Sequence, residues 1–270
     1  MTNILPIGLF DSGVGGLTVL RELARQLPQE STLYFGDTAR VPYGSKSRDV
    51  ISRFSLEIVQ FLLQEKVKMI VVACNTASAF ALTAVRSRFD VPIIGVINPG
   101  AQAAVSMTKT GRVGVIGTEG TIESQAYSEA IHELKPEVQV FGQACPLIVP
   151  LVEEGWLDKP VALEIVKEYL FPLLANRIDA MVLGCTHYPL LKNLLARVVG
   201  PDIRLIDSAE ETARIVGRQL KELHLEAPPD APVLRRFFVS DAPEKFEKIG
   251  QRFLGQPIPG VKRVDISQWM

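Results

Sequence analysis

The chain has 270 residues, a formal net charge of −1 and 47% hydrophobic residues. The near-neutral charge argues against nucleic acid or an anionic membrane surface as the main partner, and the apolar content suffices for sizeable cores. No apolar run approaches the roughly 18 residues that a membrane-spanning helix needs.

Short apolar runs rich in β-branched residues alternate with helix-like segments along almost the whole chain. This alternation is typical of parallel sheets covered by helices, and therefore of the α/β fold class. The runs predict strands at 7–10, 33–35, 69–73, 93–96, 113–116, 138–141, 181–183, 205–206 and 237–239. The segments between them predict helices at 17–26, 48–65, 77–88, 122–134, 160–175, 190–198, 209–222 and 243–253. These nine strands are more than one small sheet usually holds, and we therefore expect two sheets.

Two stretches of the sequence resemble each other, one at 7–13 and the other at 113–120. Asp11 precedes Cys74 by 63 residues, and Thr118 precedes Cys185 by 67. This near-constant offset indicates a duplicated α/β unit. Chance similarity between two buried strands is the alternative, since such strands look alike.

Turn-forming residues interrupt the pattern near 98–100 and again near 206–208. We place domain boundaries there. Residues 1–97 together with 207–270 then form a first α/β domain, because 237–240 looks like one more buried strand of the first sheet. Residues 98–206 form the second domain. The first carries Cys74 and the second carries Cys185.

Cys74 and Cys185 occupy look-alike settings in these two units. Each thiol ends a short apolar run, and each is followed by a small polar residue and then a helix-like segment. Open α/β sheets bind ligands at strand carboxyl ends, so we expect both thiols at one cleft. A thiol with a pKa of about 8.5 can act as acid or base, and a helix N-terminus is expected to lower that pKa. The alternative for either residue is a buried, inert cysteine, but the matching contexts favour function.

Two glycine-containing turns precede these thiols in the chain. The first, at 11–16, directly follows a strand and precedes a helix, which predicts a cradle for an anion or a carboxylate. It has neither the GxGxxG spacing of a dinucleotide site nor a Walker A lysine, and a plain tight turn is the alternative. The second, at 42–44, is a weaker signal whose free N–H groups would face the same cleft.

Other polar residues carry weaker signals. His187 is a candidate to orient or protonate the Cys185 sulfur, or else a hydrogen-bonded loop histidine. Glu153 follows an apolar segment and either reaches the cleft or ends a solvated helix, and Cys145 is expected to be structural. Cys74, Cys185 and His187 offer three soft metal ligands, but the close-spaced pair usual in zinc sites is missing. No lysine stands in the distinctive setting that pyridoxal chemistry would need.

The segments 8–16, 42–44, 73–78 and 184–189 together resemble motifs of the glutamate racemases, bacterial enzymes that work without pyridoxal phosphate. The similarity runs in order from residue 7 to about residue 210. It implies two similar parallel-sheet α/β domains related by pseudo-twofold symmetry, with the active site in the cleft between them. It further implies a two-base isomerase, with no cofactor and no metal, in which Asp11 and His187 assist the catalytic thiols of Cys74 and Cys185.

The same resemblance implies which residues contact glutamate. Those expected from the family pattern are Asp11, Ser12, Tyr43, Gly44, Asn75, Thr76, Thr186 and His187, and those added as further pocket residues are Thr118, Thr121 and Glu153. The D-glutamate product would supply peptidoglycan for the cell wall. Glutamate is the expected partner, with neither nucleic acid nor membrane, and the family includes homodimers.

The cysteine content also bears on location. Three cysteines without a CxxC pair fit a reducing cytoplasm better than a disulfide framework, and Met1 to Pro6 lack the features of a secretory leader. Two alternatives stay open at this level. One is a racemase for aspartate or a hydantoin; the other is a two-domain small-molecule binding protein whose thiols hold a metal or merely pack.

Overall fold

The structure is a computed structural model that describes residues 3–266. Within them the chain forms two parallel sheets flanked by helices, which confirms the predicted α/β class. In chain order the strands are β1 (Ile7–Asp11), β2 (Thr32–Gly36), β3 (Met69–Val72), β4 (Ile93–Gly95), β5 (Arg112–Gly117), β6 (Gln139–Ala144), β7 (Ala180–Gly184), β8 (Arg204–Asp207), β9 (Arg235–Val239) and β10 (Lys262–Arg263).

Helices connect these strands in nearly every case. They are α1 (Leu17–Gln26), α2 (Arg48–Gln64), α3 (Asn75–Arg88), α4 (Ile97–Met107), α5 (Glu119–Glu123), α6 (Ala126–Leu134), α7 (Ile148–Glu153), α8 (Pro160–Ala175), α9 (Lys192–Val199), α10 (Ser208–Glu222) and α11 (Pro243–Leu254), with a 3₁₀ turn at Tyr188–Leu191. None of the helices within residues 3–266 combines the length and apolar character that a bilayer span demands.

The two sheets repeat one pairing scheme. The first sheet has the order β10-β9-β2-β1-β3-β4 and the second β6-β5-β7-β8. In the first, Phe10 of β1 pairs with Val72 of β3, and in the second Ile116 of β5 pairs with Leu183 of β7. Because all these strands run parallel, their carboxyl ends share one edge of each sheet. The residues that follow β1, β3, β5 and β7 are thereby brought to those edges.

The central strands are apolar because both of their faces are covered by helices. All residues of β1, β3 and β7 are buried. The largest buried cluster contains Ile7 and Leu9 from the first sheet together with Ile116 and Met181 from the second. Apolar packing is therefore continuous from one sheet to the other, and this fixes the two strand edges relative to each other.

The nine predicted strands are confirmed, with β10 in addition. The predicted helix at 122–134 is wrong as one element: α5 and α6 are separate because Gln125 adopts a left-handed conformation with φ 56. Two helices were not predicted. These are α4, which begins within the turn-like residues near 98–100, and the short α7.

Two expectations stay as they were. The domain boundaries at 97/98 and 206/207 remain predictions. The expectation about a leader segment at Met1 to Pro6 falls partly on residues 1 and 2, which lie outside the described residues.

Candidate active site

The carboxyl-terminal edges of the two sheets enclose a cavity of about 70 Å³. This is well below the roughly 300–1,000 Å³ of sites for drug-sized ligands, so the cavity suits one small metabolite. Both Cys74 and Cys185 line it, each only 6% exposed. The other predicted site residues in its wall are Ser12, Tyr43, Gly44, Asn75, Thr76, Thr118, Glu153, Thr186 and His187.

Asp11 and Thr121 are the predicted site residues that do not line the cavity. Both are buried behind its wall and contact residues that do line it. The cavity also has lining residues to which the sequence analysis gave no role: Gly13, Val41, Pro42, Val149 and Gly184. Gly13, Pro42 and Gly184 lie within the quoted motifs, whereas Val41 and Val149 are apolar residues without any sequence signal.

Cys74 is positioned by the transition from β3 to α3. It occupies the N-cap position of α3 in an extended conformation, with φ −70 and ψ 124. Ser78 in the first turn of α3 donates a hydrogen bond to the Val72 carbonyl at 2.8 Å, which ties the helix to the end of the strand. The Cys74 sulfur lies 3.9 Å from Ser12 Oγ, in the turn after β1.

Cys185 is positioned by the corresponding transition after β7. The chain turns immediately, since Tyr188 N donates to the Cys185 carbonyl at 3.1 Å and the 3₁₀ turn follows. His187 Nδ1 is 4.0 Å from the Cys185 sulfur. Helix α1, which follows the first strand, holds this turn in place, because Thr18 Oγ1 donates to the Thr186 carbonyl at 3.0 Å.

A buried polar network lies beside Cys185. His187 Nε2 is 3.0 Å from Glu153 Oε1, and the hydrogen bond to His187 is the main reason that the pKa of Glu153 is lowered. Thr186 Oγ1 is 3.5 Å from both His187 Nδ1 and Asp11 Oδ2. Burial raises the pKa of Asp11, although the nearby His187 opposes that shift. The network therefore connects two carboxyl groups, directly or through Thr186, to the imidazole that faces the Cys185 sulfur.

On the Cys74 side, three threonines join the residues after β3 of the first sheet to those after β5 of the second. Thr76 Oγ1 lies 2.9 Å from Thr118 Oγ1 and 3.1 Å from Thr121 Oγ1. Gly120 N donates to the Gly44 carbonyl at 2.9 Å, which fixes the 42–44 turn against the second unit. The predicted residues Thr118 and Thr121 thus belong to the contact that closes the cavity.

Tyr43 is held by groups for which the sequence pattern predicted no role. Its hydroxyl donates to Asp37 Oδ2, and this fully buried carboxylate also receives hydrogen bonds from Ser240 and Arg40. Arg40 reaches onward to Glu57. Asp37 directly follows β2, so its position after a strand end is the signal that could have been used.

The expectation that helix N-termini lower the thiol pKa values is wrong for the free protein. Burial raises the pKa of Cys74 to about 12, aided by the neighbouring Asp11 and opposed by a hydrogen bond from the Ala77 backbone. Burial also raises the pKa of Cys185, opposed by the His187 backbone N–H. Loss of water around each sulfur outweighs the favourable backbone groups. Both groups are therefore thiols at neutral pH until a bound cation or a proton acceptor changes the balance.

We expect these buried thiols to make folding stability fall at alkaline pH. A thiol in the unfolded chain loses its proton near pH 8.5, whereas folded Cys74 holds it until about pH 12. Its contribution is complete below about pH 8.5 and is lost as the pH rises toward 12. Between pH 8.5 and 10 the loss is about 2 kcal/mol for one such thiol.

Urea unfolding of the wild type and of Cys74→Ala between pH 7 and 10 measures this contribution. The variant should show a shallower decline of the free energy of unfolding with pH. Parallel curves for the two proteins would contradict the expectation.

The described residues offer no ready metal site. Across 3–266, no group of three or more His, Cys, Asp and Glu side chains is arranged to hold a metal ion. The zinc arrangement of Cys74, Cys185 and His187, considered above as an alternative, is thus not formed by this part of the chain.

Fold and site together define a two-sheet α/β protein in which two thiols, one from each sheet edge, line a single cavity. The chain belongs to the Asp/Glu/hydantoin racemase family, whose model matches residues 7–216. Within that family it groups with the glutamate racemases. A glutamate racemase of Syntrophus aciditrophicus is 55% identical over 261 residues, covering 97% of both chains.

Solved structures agree with this assignment. A glutamate racemase of Bacillus anthracis superposes with a TM-score of 0.93 at 45% identity, covering 97% of each chain. One of Francisella tularensis, solved in complex with D-glutamate, also superposes with a TM-score of 0.93, at 37% identity and covering 99% of this chain and 100% of that one.

Proposed function

We propose that this protein interconverts L- and D-glutamate by a two-base mechanism in which Cys74 and Cys185 exchange protons with opposite faces of Cα. The observation that carries the proposal is that the two thiols line one cavity from two different sheets. A racemase must remove a proton from one face of Cα and deliver another to the opposite face. Two opposed thiols perform both transfers without any rotation of the substrate.

The proton balance is simple. One sulfur acts as thiolate and takes the Cα proton, while the other acts as thiol and gives its proton to the opposite face. After turnover the first sulfur is a thiol and the second a thiolate, so the reverse direction starts from the product state. No electrons leave the substrate, so the proposal needs no redox cofactor. Pyridoxal phosphate has no part in it, because the negative charge that develops is assigned to hydrogen-bond donors of the cavity.

The raised thiol pKa values require an explanation for how a thiolate forms. The free site holds two buried thiols next to the Asp11 carboxyl group. Glutamate brings an α-ammonium group, and a positive charge close to a buried thiol favours its thiolate form. Substrate binding would thus favour loss of one thiol proton to bulk water, and this loss generates the base. This restricts thiolate to the occupied cavity and protects the free site from oxidation.

Removal of the Cα proton also needs stabilisation of the charge that develops on the α-carboxylate. The cavity supplies donors for this purpose from Asn75, Thr76 and Thr186, all at most 7% exposed. Because these residues are buried, their donors act at a lower effective dielectric than they would in water. Ser12, Tyr43 and Gly44 complete the wall, and we assign them to substrate binding.

Asp11, Glu153 and His187 are assigned to the control of Cys185. The contact of 3.0 Å between His187 and Glu153 holds the imidazole, and His187 Nδ1 faces the sulfur at 4.0 Å. A carboxylate that orients a histidine fixes which ring nitrogen carries the proton. Asp11 joins this group through Thr186 and adds a buried carboxyl group behind the cavity wall.

We choose glutamate over aspartate or a hydantoin as the proposed substrate because the chain closely resembles glutamate racemases in sequence. Its curated glutamate racemase relatives reach 55% identity across 97% of the chain. D-Glutamate made in this way would feed peptidoglycan synthesis and so cell-wall formation and cell shape. We place the protein in the cytoplasm, where its buried free cysteines stay reduced, and as a homodimer by analogy with the family.

Deuterium exchange tests the proposed activity. Incubation of the protein with L-glutamate in deuterated water, without any added cofactor, should place deuterium at Cα and produce D-glutamate, as read by NMR and chiral chromatography. Aspartate and hydantoins in parallel reactions provide the comparison. Exchange into aspartate but not glutamate would reassign the substrate, and no exchange into any of them would favour a binding protein.

A further inference from the structure

The Asn75 side chain has one polar atom that the protein leaves unsatisfied. It is 3% exposed, lines the cavity and follows Cys74 directly. Its Oδ1 accepts a hydrogen bond of 2.7 Å from the Tyr127 hydroxyl. Its Nδ2 is buried and has no hydrogen-bond partner among the described residues. A buried donor without a partner is costly, so this nitrogen calls for an acceptor supplied by a ligand.

Tyr127 contacts a neighbour of each thiol in the chain. It lies in α6 of the second unit and is 2% exposed. Its ring packs on Gly184, the residue before Cys185, where an added Cβ would lie 3.1 Å from Tyr127 Cε2. Its hydroxyl reaches Asn75, the residue after Cys74. Burial raises the pKa of Tyr127, so the hydroxyl keeps its proton and remains a donor.

An asparagine amide has two orientations that differ by exchange of oxygen and nitrogen. In one, Tyr127 donates to Oδ1 and Nδ2 is left for the ligand; in the other, Oδ1 would face the ligand. A carboxylate accepts hydrogen bonds only, so it is attracted by Nδ2 and repelled by Oδ1. Whatever fixes the orientation of the amide therefore decides whether the cavity attracts a carboxylate.

We propose that Tyr127 is a positioning residue for the reaction: its hydroxyl locks the Asn75 amide so that Nδ2 donates to a carboxylate group of the substrate. This inference rests on the proposed glutamate racemase function and deepens it. Because the hydrogen bond crosses between the two units, it also links their relative position to the assembly of the carboxylate site. Tyr127 does not line the cavity, so its effect on the substrate would pass through Asn75.

A double-mutant cycle tests this role. The variants are Tyr127→Phe, which removes only the hydroxyl, Asn75→Ala, and the two combined. We expect each single variant to lower kcat/KM for glutamate by about tenfold or more. In the Asn75→Ala background, Tyr127→Phe should change kcat/KM by less than about twofold, since its partner is already absent. Tyr169→Phe is the matched control, because its hydroxyl bonds the Leu147 backbone N–H outside the cavity.

The cycle separates positioning from packing. If Tyr127 only stabilised the fold, its effect on kcat/KM would persist in the Asn75→Ala background, and such additivity would overturn the proposal. So would a Tyr127→Phe enzyme with wild-type kcat/KM. A wild-type protein that exchanges no deuterium would refute the proposed function. The same cycle would then be run on the Kd for D-glutamate by calorimetry, where additive losses or an absence of binding would overturn the role of Tyr127.

Discussion

Cys74→Ala and Cys185→Ala should each abolish net racemisation of glutamate while leaving the protein folded. Each variant lacks the acid or base for one face of Cα, and one positioned proton-transfer group typically contributes about 10²–10⁴-fold to a rate. We expect kcat/KM to fall by about 10³-fold or more. Conversion of L- to D-glutamate followed by circular dichroism measures the loss, and thermal unfolding reports on the fold.

The single variants also allow a test of the geometry. With one thiol removed, the remaining thiolate still reaches the Cα–H of the enantiomer whose proton points toward it. That enantiomer should exchange its Cα proton for deuterium without inversion, whereas the other should not. Cys74→Ala and Cys185→Ala should therefore show opposite enantiomer preferences in deuterated water. The same preference in both variants would contradict bases on opposite faces.

Cys145→Ala is the matched control for these variants. Cys145 is also free, fully buried and raised in pKa by burial, to about 12. It does not line the cavity, and its sulfur faces the Gln143 carbonyl at 3.6 Å. Its replacement should leave racemisation near the wild-type rate. Full activity in either Cys74→Ala or Cys185→Ala would end the two-base model.

The location of the thiols could be predicted because strand ends are encoded locally. The buried run before each cysteine specifies a parallel strand, and the polar residue after it specifies the turn. Two such runs in a duplicated arrangement bring their ends to two equivalent edges. The contacts that hold those edges together are long-range, such as the shared apolar cluster that contains Leu9 and Met181, and no local pattern reveals them.

What the sequence could not provide was the environment of each group. The thiol pKa values were expected to be lowered, but burial raises them. The degree of solvent exclusion depends on the whole cavity wall, so no local sequence pattern could indicate it. The bond between Tyr127 and Asn75 was not predicted either, since 52 residues separate them. Helix α4 was missed because Pro99 and Gly100, usually turn formers, lie in its first turn, where proline is tolerated.

Gly15→Ala should lower kcat/KM by about 10²-fold although Gly15 bears no side chain and is not a cavity-lining residue. The turn after β1 passes so close to the turn after β7 that an added Cβ would lie 2.2 Å from Thr186 Oγ1 and 2.5 Å from His187 Nδ1. Real contacts of this kind do not occur, so the two turns must separate.

The displacement caused by Gly15→Ala falls on the residues that hold Cys185. The Thr186 backbone carbonyl accepts a hydrogen bond from Thr18, so the Thr186 backbone moves away only if that hydrogen bond lengthens. His187 packs edge-on against Phe253, with ring centroids 5.0 Å apart, which limits its retreat. A shift of about 1 Å in a reacting group costs roughly 10²-fold in rate, and the forced contact should destabilise the fold by about 1–3 kcal/mol.

Gly217→Ala is the matched control for this prediction, because it adds the same methyl group inside α10, far from the cavity wall. Its new Cβ meets only the flexible end of Leu27, at 3.0 Å, and alanine favours a helix over glycine. Steady-state kinetics and urea unfolding of both variants separate the two outcomes. Wild-type kcat/KM in Gly15→Ala would show that the turns after β1 and β7 have room to separate without moving Cys185. The close approach of Gly15 to Thr186 and His187 would then have no role in catalysis.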